Sequence, residues 1–240
     1  MREIKRQFFM RWDELLMVLV MEAGFFLFGE IILGIVVYGV GERESIFPMG
    51  TLLALFVPLF VMVFIGMSSL PLYFNIALGM GAVRRHMVPA MLSISLLIDI
   101  AAVWTAYLFY HLEQWIFDVL YAGIESELDL QFVFQWKYIL PVCLAVVGAN
   151  ALMGALFLKF GKVAFTIFWI LWMVVFIGGP RLGHLLESAY DNAFLRVCRK
   201  VVELIGGFSE RGILAAVVLV SAVLIMVSWM LLRKQQVDTI

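Results

Sequence analysis

The chain holds six long apolar stretches within 240 residues, and almost all of its charged residues lie between them. A helix that crosses a hydrocarbon core of about 30 Å needs roughly 20 predominantly apolar residues. Backbone N–H and C=O groups in lipid must be satisfied within the segment itself, so stretches of this length are predicted to be helices. The predicted spans are 15–40, 51–76, 88–110, 138–159, 163–179 and 213–232.

Composition supports this class of protein. Hydrophobic residues make up 64% of the chain, and the mean hydropathy is +1.04. A soluble domain is usually about half apolar. The sequence therefore predicts an all-α membrane protein with six transmembrane helices, built as one transmembrane domain over residues 1–240.

The positions of the basic residues predict the topology. Ten of the 17 Lys and Arg residues fall on the side of the membrane that carries both termini, and seven fall on the other side. Cytoplasmic loops carry the excess of Lys and Arg, so both termini are expected in the cytoplasm. The formal net charge is −1, which gives no indication of a nucleic-acid partner.

Two segments outside the spans have helical patterns. Residues 1–14 combine apolar and basic side chains as an amphipathic helix that lies in the membrane interface does. The alternative is a charged flank that only anchors orientation. The segment 181–211 follows the Gly-Gly-Pro sequence at 178–180, which is expected to end the fifth span. Apolar residues at helical spacing over 194–205 predict an outer helical segment there.

Several chemical motifs are missing from the sequence. The P-loop pattern G-x-x-x-x-G-K-[ST] does not occur, so the chain itself is not expected to bind ATP. Neither H-E-x-x-H nor G-x-S-x-G is found. His86, His111 and His184 belong to three different loops or span ends. We therefore predict no catalytic residues, no metal site and no enzymatic activity of the chain by itself.

Three acidic residues fall inside the predicted spans: Glu22, Glu30 and Asp99. Ionisable side chains in a membrane are costly and usually face the interior of the bundle or water. They are candidates for the lining of a translocation path or for a proton relay. The alternative is that they pair with polar groups and hold the bundle together. Both interpretations remain open at this stage.

The connection between the second and third spans carries a resemblance. Its sequence over residues 79–87 is Gly-Met-Gly-Ala-Val-Arg-Arg-His-Met. Together with an amphipathic first helix, six spans and a helical segment before the last span, this stretch resembles the permease subunits of small bacterial ABC-2 type exporters, also described as type V ABC exporters. In those proteins the corresponding stretch forms a short coupling helix, which is expected here over residues 77–87.

This resemblance implies partners and cofactors. The permease works with a separate P-loop ATPase, which binds ATP and magnesium, and with a second permease copy, identical or related. The chain itself holds no cofactor. The resemblance assigns contact with the ATPase to the residues that match the coupling stretch, which are Gly81, Val83, Arg84, Arg85, His86 and Met87.

The expected activity is export across a bacterial plasma membrane. The cargo would be amphipathic or hydrophobic: a peptide such as a bacteriocin or toxin-like peptide, a drug or a lipid. Two other functions remain open: a proton-coupled secondary transporter that uses Glu22, Glu30 or Asp99, and a non-transporting scaffold or immunity protein. Dependence on a separate ATPase distinguishes the first function from the other two.

Overall fold

The protein is described by a computed structural model. The described residues are 2–41, 45–121, 125–126, 128–187, 196, 200 and 206–234. Over these residues the chain is almost entirely helical, and the helices are α1 (Arg2–Met10), α2 (Trp12–Gly34), α3 (Met49–Gly79), α4 (Arg84–Leu120), α5 (Trp136–Phe160), α6 (Lys162–Glu187) and α7 (Glu210–Lys234).

Short irregular elements complete the fold at one end of the bundle. A π-helical segment, Ile35–Val40, extends α2, and a 3-10 helix, Gln131–Phe134, precedes α5. Two strands of two residues each, β1 (Ser45–Ile46) and β2 (Glu125–Ser126), pair in parallel. We call this the Gly41 end, and the opposite end, where α3 turns into α4, the Gly81 end.

Among the described residues, five helices are long and apolar enough to span a membrane, as expected of a multi-pass membrane protein. Their candidate spans are Trp12–Gly39, Met62–Gly79, Arg84–Leu120, Trp136–Phe160 and Glu210–Arg233. The fifth predicted span, 163–179, falls in α6, which contains a shorter apolar stretch, Lys162–Val174.

Two predicted boundaries differ from the observed helices. The expected coupling helix over 77–87 is not a separate element. Residues 77–79 end α3, residues 80–83 form a turn, and Arg84 already begins α4. The break predicted at 178–180 is also absent, because α6 continues to Glu187. Glycine and proline end helices in water more often than in membrane proteins, where neighbouring groups can satisfy the freed backbone.

The predicted outer segment 181–211 is described only in part. Residues 181–187 continue α6, and residues 206–211 lead into α7. The apolar helix predicted over 194–205 lies almost wholly outside the described residues. The other predicted segment, the amphipathic helix over 1–14, corresponds to α1 and the first turn of α2.

Helices α2 and α3 cross at very short range. A Cβ atom added to Gly29 would lie 2.5 Å from the carbonyl oxygen of Met49 and 2.6 Å from Cα of Gly50. Both obstacles belong to the backbone, so no side chain can rotate away from them. Buried residues of α2 follow one stripe on this side of the helix, including Val18, Glu22 and Phe26. The glycine therefore sets how closely the two helices pack.

Helix α5 occupies the centre of the bundle and packs on both α3 and α7. Its small residues Gly148, Ala151 and Ala155 are buried. A Cβ atom at Gly148 would lie 3.1 Å from the carbonyl oxygen of Ser221 in α7. In the absence of a hydrophobic driving force between helices in lipid, close packing of this kind holds helices together.

The crossing of α2 and α3 predicts an asymmetric response to two similar substitutions. We expect Gly29→Ala to destabilise the protein by about 1–3 kcal/mol, because the new methyl group overlaps backbone atoms. Gly24→Ala, on the same helix, adds a methyl group with nothing within 4 Å. Both variants are heated in detergent, and size-exclusion chromatography measures the monodisperse fraction that remains at each temperature. The temperature at which half remains is the midpoint. Equal midpoints for the two variants would contradict the close crossing.

Candidate functional site

The turn between α3 and α4 is tightly built. Gly81 has a φ of 76°, a left-handed conformation that favours glycine. The N–H of Gly81 donates to the carbonyl oxygen of Leu78 at 2.9 Å, and the N–H of Ala82 donates to that of Ala77 at 3.0 Å. These bonds satisfy carbonyl groups at the end of α3, as glycine-containing helix ends commonly do. The turn therefore has one defined backbone conformation.

Side chains of this turn divide into an exposed set and a buried set. Val83 is 62% exposed, and Arg85 and His86 are also exposed. Arg84 is half-buried. Ala82 and Met87 are buried, in a cluster that also contains Phe74 of α3 and Leu232 of α7. The exposed residues therefore lie next to a buried apolar cluster to which α3, α4 and α7 contribute.

Met87 requires a correction to the predicted set of ATPase-contacting residues. Its side chain is 0% exposed, so it cannot form part of a docking surface in this conformation. Helical geometry gives the reason. Met87 lies four residues after Val83 and three after Arg84, and it faces the cluster around Leu232 once α4 begins at Arg84.

Asp99 lies near a buried basic residue, Arg11. The Arg11 guanidinium donates through Nε to Glu14 Oε2 at 2.6 Å and through one terminal nitrogen to Ser95 Oγ at 2.6 Å. The same nitrogen lies 3.3 Å from the carbonyl oxygen of Met91. Asp99, one turn beyond Ser95 on α4, interacts electrostatically with both Arg11 and Glu14. We call these residues, Arg11, Glu14, Ser95 and Asp99, the Arg11 cluster.

The Arg11 cluster connects four helices. Arg11 joins α1 to α2, Ser95 and Asp99 belong to α4, and Ser69 of α3 donates to Glu14 Oε1 at 3.3 Å. The side chains of Arg11 and Glu14 are 5% and 9% exposed. An ion pair this deeply buried must satisfy its remaining hydrogen-bonding groups to be tolerated. Arg11 and Glu14 find such partners in the two serines and the Met91 carbonyl, whereas Asp99 Oδ2 has no hydrogen-bond partner among the described residues.

Sequence reasoning missed the role of Arg11. It was assigned to the basic flank of an interfacial helix, together with other arginines near the N-terminus. A signal was available, since Glu14 follows it at helical spacing and Ser95 and Asp99 lie one turn apart on α4. The sequence does not reveal that α1 packs against the side of α4.

A small polar cavity adjoins the Arg11 cluster. It has a volume of about 10 Å³ for the centre of a water molecule and is lined by Arg11, Gly66, Ser69, Ser95 and Asn150, among others. This is about the space that one water needs. Asn150 Oδ1 has no hydrogen-bond partner among the described residues. The site thus has both the room and a free acceptor for one water molecule.

Glu30 lies at a different place, beside a second glutamate. The carboxyl groups of Glu30 and Glu113 are close enough to interact with each other, and Glu30 Oε1 lies against Gly50 at the start of α3. Glu113 Oε1 also accepts the N–H of Gly50, and Oε2 accepts the N–H of Thr51, both at 2.9 Å. These donors belong to the first turn of α3, whose N–H groups have no partners within the helix. Glu113 therefore caps α3 from the side of α4.

Glu113 was not predicted as a site residue. The third span was expected to end at residue 110, which placed Glu113 in an outer loop. In the structure α4 continues to Leu120, and Glu113 is 0% exposed. Two neighbouring carboxyl groups can share a hydrogen bond only when one of them carries a proton. Glu30 and Glu113 therefore bring two titratable groups together between α2 and α4.

Glu22 is isolated from the other carboxyl groups. It is 1% exposed, and its Oε2 atom has no hydrogen-bond partner among the described residues. One turn earlier, Val18 packs against Met62, Ile94 and Ile98. One turn later, the ring of Phe26 stacks on that of Phe109, with centroids 4.6 Å apart. The three predicted acids therefore occupy three separate environments and do not form one cluster.

The described residues contain no group of three or more His, Cys, Asp or Glu side chains arranged to hold a metal ion. The described cysteine, Cys143, is a buried free thiol, and Cys198 lies outside the described residues. Comparisons with protein-family models, curated proteins and solved structures find no match to this chain. Inferences about function therefore depend on the geometry and on the sequence.

The Arg11 cluster predicts a large effect of one charge removal. We expect Arg11→Met to destabilise the protein by about 3 kcal/mol, because Glu14 is left buried without its cation. Lys5→Met removes an exposed cation from the neighbouring helix and is expected to have little effect. Midpoints of heat-induced aggregation in detergent measure both. The double variant Arg11→Met with Glu14→Gln should recover part of the loss, and no recovery would contradict the ion pair.

The cap on α3 predicts a graded response at Glu113. Glu113→Gln keeps one carbonyl oxygen and should retain part of the cap, whereas Glu113→Ala leaves two buried N–H groups without acceptors. We expect a loss of about 1–3 kcal/mol for the alanine variant and less for the glutamine variant. Hydrogen exchange of the peptides that cover residues 49–55 measures the change locally. Unchanged exchange in the alanine variant would overturn the assignment of Glu113 as a cap.

Proposed function

We propose that this chain is the membrane subunit of an ATP-driven exporter of the ABC-2 type. In this proposal two permease copies assemble with a separate P-loop ATPase that supplies ATP and magnesium chemistry. The assembly lies in a bacterial plasma membrane and exports an amphipathic or hydrophobic cargo. The support comes from the resemblance in layout and from the geometry of the turn at the Gly81 end.

The proposal includes six spans with both termini in the cytoplasm. Five helices meet the length and composition of a membrane span. Helix α6 would be the sixth, because its 26 residues give a length of about 39 Å. With six crossings, the basic residues at the start of the chain, in the Gly81 turn and at the end of α7 would share one side, as the positive-inside rule requires.

The observation that carries the proposal is the arrangement of residues 81–86. Val83, Arg85 and His86 are exposed on a turn whose backbone is fixed and whose base is buried. An exposed apolar side chain beside arginine suits a protein partner, because arginine is enriched at protein interfaces. In this protein the coupling residues would act without a separate helix, directly on the first turn of α4.

Helix α4 provides a route from this turn to the interior. Its 37 residues give a length of about 55 Å. Along it lie the turn, then Ser95 and Asp99 in the Arg11 cluster, and then Glu113 at the cap of α3. A force applied by a partner at Arg85 would therefore reach α1, α2 and α3 through named contacts. For ATP to drive transport, it must favour one of two packings of these helices.

Charge reversal at the turn tests the proposal. The chain is co-expressed with its P-loop ATPase, sought first in the neighbouring reading frame, and ATP hydrolysis and export are measured together. We expect Arg84→Glu with Arg85→Glu to reduce assembly with the ATPase about tenfold or more, because the charge that each arginine presents to the partner is then reversed. Lys159→Glu with Lys162→Glu makes the same charge change at the exposed turn between α5 and α6 and serves as the control.

The controls also separate the outcomes. If both double variants assemble normally, the turn is not the docking site. If the wild-type chain purifies from detergent and from lipid nanodiscs without any ATPase and still transports, the exporter proposal itself is wrong.

A proton-coupled transporter is the second candidate, and the pair Glu30 and Glu113 favours it. Two neighbouring carboxyl groups on different helices could share a proton, and its loss would drive those groups apart, which suits a coupled movement of the helices. Proton flux into liposomes that contain the purified chain alone tests this function. We expect no flux without the ATPase. Flux that disappears in Glu30→Gln but persists in Asp13→Gln, an exposed acid, would replace the exporter proposal.

A further inference from the structure

An apolar groove runs along the surface between α4, α5 and α7. It has a volume of about 540 Å³, and its lining side chains, which include Pro89, Leu144, Ala222 and Trp229, are all apolar in character. On α7 the lining extends from Val218 to Trp229, a rise of about 16 Å. This length is about half of a 30 Å hydrocarbon core, which is the depth of one leaflet.

Two arginines lie at the Gly81 end of this groove. Arg85 precedes Pro89 by four residues on α4, and Arg233 follows Trp229 by four residues on α7. Residues four apart share a face of a helix. Each arginine therefore lies one turn beyond a residue that lines the groove, on the same face. Both are exposed, and Cζ of Arg233 lies 5.7 Å from the centre of the Trp229 ring.

The two helix ends that carry these arginines are neighbours. Met87 and Val88 at the start of α4 belong to the same buried cluster as Leu232 near the end of α7. Because the helices are in contact there, Arg85 and Arg233 lie at the same end of one groove.

We propose that this groove binds an anionic phospholipid. One acyl chain would lie along the apolar wall, and the phosphate would lie between Arg85 and Arg233. Guanidinium groups suit phosphate oxygens because they present several donors in a planar fork. The ring of Trp229 lies between the apolar wall and the arginines, at the level of the membrane–water interface, where tryptophan is enriched in membrane proteins. In the proposed topology the Gly81 end lies at the cytoplasmic leaflet, which carries the anionic lipids that such arginines attract.

This site is separate from the exporter proposal in its evidence. It depends on α4, α5 and α7 and on Arg233, which no coupling assignment includes. Arg85 is shared with the proposed docking turn, so the test uses Arg233 and the groove wall instead. A chain that binds lipid here without any ATPase would still satisfy this inference.

The test is native mass spectrometry of the purified full chain in mild detergent, with added phosphatidylglycerol or phosphatidylcholine. Wild-type protein is expected to retain phosphatidylglycerol and to lose phosphatidylcholine. Ala222→Phe fills the groove and should abolish retention. Ala216→Phe, the same change at an exposed position of α7 outside the groove, should not. Arg233→Gln should weaken retention about fivefold, and Arg211→Gln, at the other end of α7, should leave it unchanged.

Three results would overturn the inference. The first is equal retention of the two lipids, because the arginines would then select nothing. The second is retention in Ala222→Phe equal to that in Ala216→Phe. The third is a change of Ala222→Phe from dimer to monomer with lipid retention unchanged, which would make the groove a contact between copies. If Ala222→Phe does not fold, the comparison of Arg233→Gln with Arg211→Gln still decides the headgroup contact.

Discussion

The start of α3 is the constraint on which the rest of this bundle depends. Helix N-termini leave N–H groups without partners inside the helix, and burying them in an apolar medium is costly unless an acceptor is supplied. Here Gly50 and Thr51 find both oxygens of Glu113 on α4. Gly29 and Glu30 of α2 lie against the same turn. Helices α2, α3 and α4 therefore meet at the Glu113 carboxyl group.

The Arg11 cluster makes a second connection, nearer the Gly81 end. It joins the short first helix to α4 through Ser95 and the Met91 carbonyl, and to α3 through Glu14 and Ser69. Hydrophobic attraction does not select one helix arrangement over another within lipid, because lipid tails are as apolar as the side chains. Polar contacts with fixed geometry do select. The Arg11 cluster and the Glu113 cap both involve α4, and together they define how the helices are arranged.

The same arrangement bears on function through α4. Helix α4 begins with the exposed residues next to the Gly81 turn. Along its length it carries Ser95 and Asp99 of the Arg11 cluster and then Glu113, and it forms one wall of the groove between α4, α5 and α7. A partner at the turn and a lipid at the groove would act on neighbouring parts of one rigid element. The two proposals are therefore physically related, although their tests are independent.

The sequence by itself determined that the chain is helical and that several of its helices are long and apolar enough for a membrane. Apolar stretches of this length have few other folds available, because backbone groups in lipid must be satisfied locally. The sequence also identified Glu22, Glu30 and Asp99 as ionisable residues inside those stretches, since polarity within an apolar run is visible without a fold. The ends of α4 and α6 were harder to predict from the sequence. Pro89 lies inside α4, and α6 continues past the Gly-Gly-Pro sequence at 178–180.

Only the tertiary structure decided the partners. Glu113 accepts the N–H of Thr51 across 62 residues of sequence, and Arg11 donates to Ser95 across 84. Neither pairing leaves a local pattern, because the spacing between residues on different helices depends on how those helices cross. Met87 is another example. Its position in a basic turn predicts an exposed residue, but in the structure it is buried in the same cluster as Leu232. The sequence shows which side chains are ionisable. Which of them lie close together depends on the crossing of α2 and α3 at Gly29 and on the packing of α4 against its neighbours.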